Sequence, residues 1–260
     1  SQYEQSVRAL ADYYRTVELG LGVCFRGFES TRSLTPHRRT DAGVIGALVF
    51  GSDQGLVGRF NDVVAQCAID TLATLPGKPR VWAIGERVHA RLADAGLAPE
   101  GLFPLPNSVQ GIASLVARIE VETERRLGQD ARLYVFHNRP QTGALFGPVS
   151  QRLLPLDAQW RQDLINSRWP TDQLPDAIGG ESALRALISE YLFISLFRAC
   201  AESLASENAS RLAAMQRADK NIAELLESFR ASLRGVRQSG IDEELFDVIS
   251  GFEALARQRS

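Results

Sequence analysis

The sequence predicts an α/β fold, in which a Rossmann-like domain carries a long antiparallel two-helix coiled coil formed by the N- and C-terminal helices. Three observations predict it: strand and helix signals alternate through the middle, apolar heptads mark the N-terminal segment, and no proline lies between residues 181 and 239. We expect a helix at 1–26, an α/β domain at 42–156, a connector at 157–180 and a coiled-coil helix at 181–257.

The N-terminal segment has a heptad seam. One set of apolar residues recurs every seven positions and a second follows three positions later, which are Val7, Tyr14 and Leu21, then Leu10, Val17 and Cys24. This spacing predicts one helix that packs against another. Small and charged residues at 27–43 predict the loop that ends it.

Four apolar runs in the middle of the chain predict strands. They cover residues 44–50, 80–84, 132–137 and 144–154, and the last could pair as an edge hairpin. Because helical patterns separate the first three runs, we expect a largely parallel sheet with helices packed on it.

Three helices are predicted between these strands. The first presents an apolar face of Phe60, Val63, Val64, Cys67, Ala68, Thr71 and Leu75, and the second covers residues 86–95. Ser108 is the predicted N-cap of the third, whose buried face is Ile112, Leu115, Val116 and Ile119. No element is predicted within the connector, which contains Pro170 and Pro175.

The C-terminal segment repeats the heptad pattern at greater length. Its two sets are Leu212, Asp219, Leu226 and Leu233, and Met215, Ile222, Phe229 and Val236. A helix from residue 181 would span on the order of 100 Å, roughly three times the N-terminal helix. Much of its apolar seam therefore lacks a partner in this chain, and we expect residues 226–236 of the isolated chain to fray or pair with another copy.

Composition argues against several functions. Hydrophobic residues make up 45% and the net charge is −2, so a core can form and nothing indicates nucleic-acid binding. No apolar run could span a bilayer, and no signal peptide opens the chain. The cysteines Cys24, Cys67 and Cys200 form no CxxC pair and lie at apolar helix positions, which favours core packing and a reducing compartment.

Few residues suggest chemistry. The Gly55-x-x-Gly58 turn could place a helix N-terminus at a phosphate, but it matches no nucleotide motif and a tight strand-to-helix turn is the favoured interpretation. Ser52, Asp53 and Asn61 form a thin polar cluster there, and His137 is expected to cap a loop at a strand end. We predict no catalytic residue, cofactor or metal.

Three motifs resemble the gamma subunit of F-type ATP synthases, the central rotor shaft. They are LASENASRLAAMQRADKN at 204–221, SDQGLVGRFN at 52–61, and RQSGIDEELFDVISGFEAL at 237–255. They occur in the family's order and cover almost the whole chain. Asp242, Phe252 and Val57 depart from the usual threonine, alanine and cysteine, which indicates a divergent branch, and the family's basic N-terminal start is absent.

The resemblance implies a non-catalytic subunit that couples ion-driven rotation of the membrane c-ring to ATP synthesis or hydrolysis on the beta subunits. It implies alpha, beta and epsilon subunits and the c-ring as partners, with peripheral attachment at the cytoplasmic face of a bacterial inner membrane. The family positions for subunit contact correspond to Arg237, Gln238, Asp242, Glu244, Glu207 and Arg211. From spacing alone, Glu207 and Arg211 could also form a helix-surface pair worth ~0.3 kcal/mol.

Two other functions remain open from the residues alone. A coiled-coil adaptor whose α/β head binds a protein or a small ligand would show the same long helix. An enzyme with a Rossmann-like head would need polar groups that converge at the carboxyl ends of its strands, and only the thin cluster described above lies there.

Overall fold

The computed structural model describes residues 2–31, 43–128, 131–142, 144–170 and 180–257. The elements, in chain order, are α1 (Gln2–Thr31), β1 (Ile45–Phe50), α2 (Phe60–Ala73), β2 (Arg80–Ile84), α3 (Glu86–Asp94), β3 (Gly101–Phe103), α4 (Gln110–Leu127), β4 (Arg132–Gln141), β5 (Ala144–Leu154), α5 (Ala158–Asn166) and α6 (Gly180–Arg257). Contacts within the chain divide it into two units, Ser1–Arg211 and Leu212–Ser260.

A five-stranded sheet in the order β3-β2-β1-β4-β5 forms the centre of the first unit. The first four strands in this order are parallel, and β5 pairs antiparallel with β4 at the edge. Every residue of β1 is buried, because helices cover both faces of the sheet there. The predicted mixed α/β sheet and its edge hairpin are therefore confirmed.

Helices cover the two faces of the sheet in pairs. On one face, α2 and α3 pack over a core that includes Val49 and Phe136. On the other face, α4 and residues 196–204 of α6 pack over a core that includes Phe50 and Trp82. The predicted face of α4 is buried at all four positions, and residues 196–204 of α6 belong to the same layer.

The first helix packs against α6 and α5. Val17, Leu21 and Phe25 of α1 share a buried cluster with Tyr191 and Ile194. The Tyr14 and Tyr191 rings lie 5.7 Å apart, and Gly20 faces Leu187. Later positions on α1 therefore meet earlier positions on α6, so the two helices are antiparallel here.

Glycine is required where α1 meets α5. A Cβ atom at Gly22 would lie only 2.6 Å from the carbonyl oxygen of Leu164. Trp160 of α5 also donates from its indole nitrogen to Glu18, at 3.2 Å. The segment at 157–180 is thus more than a connector, since α5 holds α1 in place.

Three local predictions are wrong. The first helix continues through residues 27–31, because nothing in the sequence from Gly27 to Thr31 is a strong helix breaker. Ser108 is not the N-cap of α4; Val109 takes that position without a side-chain cap. The connector contains α5, which Asp157 caps by accepting a hydrogen bond from the Trp160 amide at 3.0 Å. The strand β3, only 3 residues long, is not predicted from the sequence.

The second unit, taken by itself, is the remainder of α6. The predicted seam lies along it with its apolar side chains exposed: Phe229 is 61% and Val236 is 70% exposed. The predicted C-terminal helix is confirmed as one continuous element of 78 residues. None of the described helices is apolar enough over a sufficient length to cross a bilayer.

Candidate functional site

The turn after β1 is cross-linked by its own polar side chains. The Ser52 amide donates to Asn61 Oδ1 at 2.9 Å, and Asn61 Nδ2 donates to Ser52 Oγ at 2.8 Å. Between them the chain passes through positive φ at Leu56 and Gly58, which glycine adopts without strain. These bonds explain the polar cluster as the closure of a tight strand-to-helix turn.

Asp53 joins this turn to its neighbours. Its carboxylate accepts from the amide of Glu86, at the start of α3, at 3.0 Å. The other oxygen accepts from the amide of Leu105 at 2.9 Å. Both oxygens are therefore occupied by the backbone, so the carboxylate ties three segments together at the carboxyl edge of the sheet.

A buried ionic cluster joins α6 to β4. Glu202 is 4% exposed, and its Oε2 accepts from His137 Nε2 at 2.8 Å and from Arg139 Nε at 2.7 Å. Its Oε1 accepts from Arg198 Nε at 2.8 Å. Burial by itself raises the pKa of the Glu202 carboxyl, but the three hydrogen bonds outweigh it and lower the pKa to about 2.

The predicted role of His137 is wrong. Its side chain is 1% exposed and lies inside β4, not in a loop. It binds Glu202, which lies 65 positions later in the chain. No spacing along the sequence indicates such a partner. The two residues meet because α6 packs against the sheet beside β4.

Two serines continue the attachment of α6 along the same edge. Ser206 Oγ lies 3.2 Å from the carbonyl oxygen of Asn138, and its single proton is shared with the carbonyl of Glu202 on the same helix, at 2.8 Å. Ser210 Oγ donates to the carbonyl of Val57 at 2.6 Å. Asn138 in turn donates to the carbonyl of Phe60 at 2.8 Å. All of these residues are buried within the first unit, so the attachment of α6 reaches both β4 and the turn after β1.

The predicted pair of Glu207 and Arg211 is present, at 2.6 Å, but it is not on the surface. Glu207 is only 6% exposed. Burial raises the pKa of its carboxyl, Arg211 opposes that rise, and the nearby charge of Asp53 adds to it. Four-residue spacing indicates which side chains can pair within a helix, but it does not indicate what packs against that face of the helix.

The other four predicted contact residues lie in the second unit. Arg237, Gln238, Asp242 and Glu244 are all exposed on α6. Helical spacing places Arg237 and Glu244 on one face, seven positions apart, and Gln238 and Asp242 on another, four apart. Exposed apolar residues lie among them, including Ile241 at 64% and Phe246 at 70%. A surface that is both apolar and charged is typical of a protein-binding site.

A half-buried carboxylate on α4 predicts how the free energy of unfolding depends on pH. Glu120 on α4 is half-buried, and burial together with the charges of Glu190 and Glu124 raises its pKa to about 7. Glu190 also accepts from the Tyr13 hydroxyl at 2.9 Å. Because the folded state favours the protonated acid, the free energy of unfolding should fall as pH rises from 4.5, the ordinary pKa, through about 7.

Replacing Glu120 with Gln should therefore stabilise the chain at alkaline pH. Glutamine resembles the protonated acid, so we expect a gain of about 1 kcal/mol at pH 8, after allowing for solvent screening, and almost none at pH 4.5. Urea unfolding of both proteins across this range measures the difference. A difference that does not change with pH would contradict the prediction.

No group of three or more histidine, cysteine or carboxylate side chains that could bind a metal occurs among the described residues. Cys24 and Cys200 are buried, Cys67 is half-buried, and burial raises the pKa of all three thiols. The cysteines thus pack in the core as predicted.

Comparison with known proteins gives a consistent result. A family model described as ATP synthase matches residues 1–255. The ATP synthase gamma chain of Nitrosomonas eutropha is 27% identical over 231 residues, which cover 81% of this chain and 74% of that protein. The gamma chain of Polynucleobacter necessarius is 24% identical over 263 residues, with 96% and 86% covered.

Solved structures share the fold. A mitochondrial ATP synthase of Euglena gracilis, solved with its c-ring, has a chain that matches with a TM-score of 0.58 at 15% identity, covering 99% of this chain and 95% of that one. The central stalk of the Tetrahymena thermophila mitochondrial ATP synthase matches with a TM-score of 0.51 at 17% identity, covering 84% and 100%.

Proposed function

The chain belongs to the gamma-subunit family of ATP synthases, and on that premise we propose that it is the central rotor shaft of such an enzyme. It couples rotation of a membrane c-ring to conformational change in the alpha and beta subunits. ATP is made or hydrolysed on the beta subunits, so this chain is a non-catalytic subunit. The adaptor and enzyme alternatives have no observation of their own in their favour.

The continuity of α6 carries this proposal. A rotor subunit must receive torque in one part and deliver it in another without loss in a flexible joint. Here the helix that packs on the sheet and is bonded to β4 continues as one element to Arg257. Its later residues present an apolar seam that requires a protein partner.

We propose that α1 and α6 form an antiparallel two-helix coiled coil in the assembled enzyme. The opposed contacts of α1 with residues 184–194 support it, as does the heptad spacing of both helices. The rest of the seam, from Leu212 to Val236, is covered by the alpha and beta subunits or by another helical segment. Paired helices resist torsion better than one, because interdigitated side chains must move together.

The two units are proposed to contact different partners. Arg237, Gln238, Asp242 and Glu244 are proposed to contact a beta subunit. Of the pair on the first unit, Glu207 is buried, so only Arg211 is proposed to meet a neighbouring subunit. The sheet domain is proposed as the foot that meets the c-ring and the epsilon subunit. We also propose that the chain lies peripherally at the cytoplasmic face of a bacterial inner membrane. As the shaft turns, each beta subunit meets a different face, which shifts its equilibrium between open and closed forms.

Reversing two charges on the second unit tests the contacts. In complexes assembled with alpha and beta subunits, Arg237→Glu and Glu244→Lys should lower coupled activity several-fold while the chain still folds, because both side chains are exposed. Arg185→Glu is the matched control, since it breaks an exposed pair with Glu181 in the first unit. Equal coupling in all three variants would count against the contacts. ATP turnover by the isolated chain would remove the rotor function itself.

A further inference from the structure

Four side chains on α6 follow one another at intervals of four residues and face the carboxyl edge of the sheet. We call Arg198, Glu202, Ser206 and Ser210 the polar stripe. We propose that the polar stripe fixes the rotational setting of α6 about its own axis, and that Glu202 is the positioning residue on which this setting depends. The inference rests on the proposed rotor function and adds to it the residues that transmit torque between sheet and helix.

The members of the polar stripe engage different parts of the first unit. Glu202 binds His137 and Arg139 on β4. One turn later Ser206 contacts the backbone of β4, with its proton shared with its own helix, and after another turn Ser210 donates to the turn that follows β1. Because four residues correspond to about 400° of helix, each member is turned by roughly 40° from the one before it. The bonds of Glu202 and Ser210, with the weaker contact of Ser206 between them, therefore oppose rotation from different angles.

Apolar packing fixes this angle only coarsely. Leu196, Cys200 and Leu204 pack α6 onto the sheet, but the hydrophobic effect is non-directional and depends on area. Hydrogen bonds weaken steeply when their angle or length changes. A rotation by one residue, about 100°, would take the Glu202 carboxylate away from its partners and leave a buried charge unpaired. Directional bonds therefore supply the resistance to twisting.

Glu202 is central to the polar stripe because its two carboxylate oxygens bind different elements. Oε1 is held by Arg198, one turn earlier on the same helix. This internal bond fixes the conformation of the Glu202 side chain. Oε2 is thereby presented to His137 and Arg139, which belong to the sheet. Because the Glu202 side chain is fixed by its own helix, a rotation of α6 acts directly on its bonds to β4.

A purely structural role makes a different prediction. If the cluster only stabilised the fold, its loss would lower assembly, hydrolysis and ion transport together. Removing one partner of a buried ion pair is itself destabilising, so a loss of stability in a Glu202 variant does not distinguish the two roles. A rotational setting predicts instead that hydrolysis continues in assembled complexes while less transport accompanies each ATP.

The test uses the assembled, membrane-reconstituted enzyme with Glu202→Gln, and with Glu181→Gln as the control. Glu181 also lies on α6 and pairs with Arg185, but on the exposed surface. Two quantities are measured: ions transported per ATP hydrolysed, and the angular fluctuation of a bead attached to the sheet domain while the hexamer is immobilised. We expect Glu202→Gln to lower the first several-fold and widen the second, and Glu181→Gln to match the parent.

A second variant covers failure of the first to assemble. Ser210→Ala removes only the bond to Val57, and it should widen the angular fluctuation by a smaller amount. Parental values for transport and fluctuation in both variants would overturn the inference. So would an equal loss of hydrolysis and transport in Ser210→Ala. If the parent chain itself fails to couple transport to hydrolysis, the rotor function fails instead, so the two outcomes are distinguishable.

Discussion

Leu226→Pro is expected to abolish coupled ATP synthesis while leaving the sheet domain folded. Leu226 lies in the second unit, in the interior of α6. Proline there removes one backbone hydrogen bond and its ring clashes with the preceding turn, at a cost of about 3 kcal/mol or more and with a kink in the helix. A kinked shaft cannot turn about a single axis, so torque applied at one end no longer reaches the other intact.

The measurement is ATP synthesis driven by an ion gradient in reconstituted vesicles. Leu226→Ala is the matched control, because it removes the same seam side chain, which is 50% exposed, and keeps the helix. Circular dichroism and the melting temperature report whether the sheet domain remains folded. Substantial synthesis by the proline variant would show that the helix need not be continuous, and the main support for the rotor proposal would be lost.

Phe50→Ala should cause the largest loss of stability. Phe50 is completely buried at the end of β1 and packs in the core beneath α4 and α6. Truncating such a side chain removes its apolar contacts and leaves a cavity, which typically costs 3–5 kcal/mol. Phe246→Ala is the control, since Phe246 is 70% exposed and surface changes of this kind stay within about 0.5 kcal/mol. Urea unfolding measures both, and similar midpoints for the two variants would contradict the assigned core.

The elements that could be predicted are those whose signal is local. Long apolar periodicity identified α6, and short buried runs identified β1, β2, β4 and β5. The missed elements have weak local signals. β3 is only 3 residues long, and α5 is only 9 residues long and precedes Pro170 and Pro175. Asp157 ahead of Trp160 is nevertheless a capping signal for α5.

The features of the site that could be predicted are likewise those with a local signal in the sequence. The Glu207 and Arg211 pair was found because four-residue spacing is a local property of a helix. Its burial was not, and neither was the contact of His137 with Glu202, because both depend on which surface of α6 meets the sheet. A histidine that follows Phe136 and a glutamate between Ala201 and Ser203 each look unremarkable alone. Only the tertiary fold makes them partners.

The absence of any turn in α6 where one unit meets the next constrains how the gene can change in length. Within a helix, one inserted residue advances the phase of everything after it by about 100°. A single-codon insertion between Arg211 and Leu212 would thus misalign the later residues by more than a quarter of a revolution, whereas insertions of seven or eleven residues shift phase by only about 20°. Relatives that differ in length along α6 should accordingly differ by such multiples, or carry compensating changes downstream.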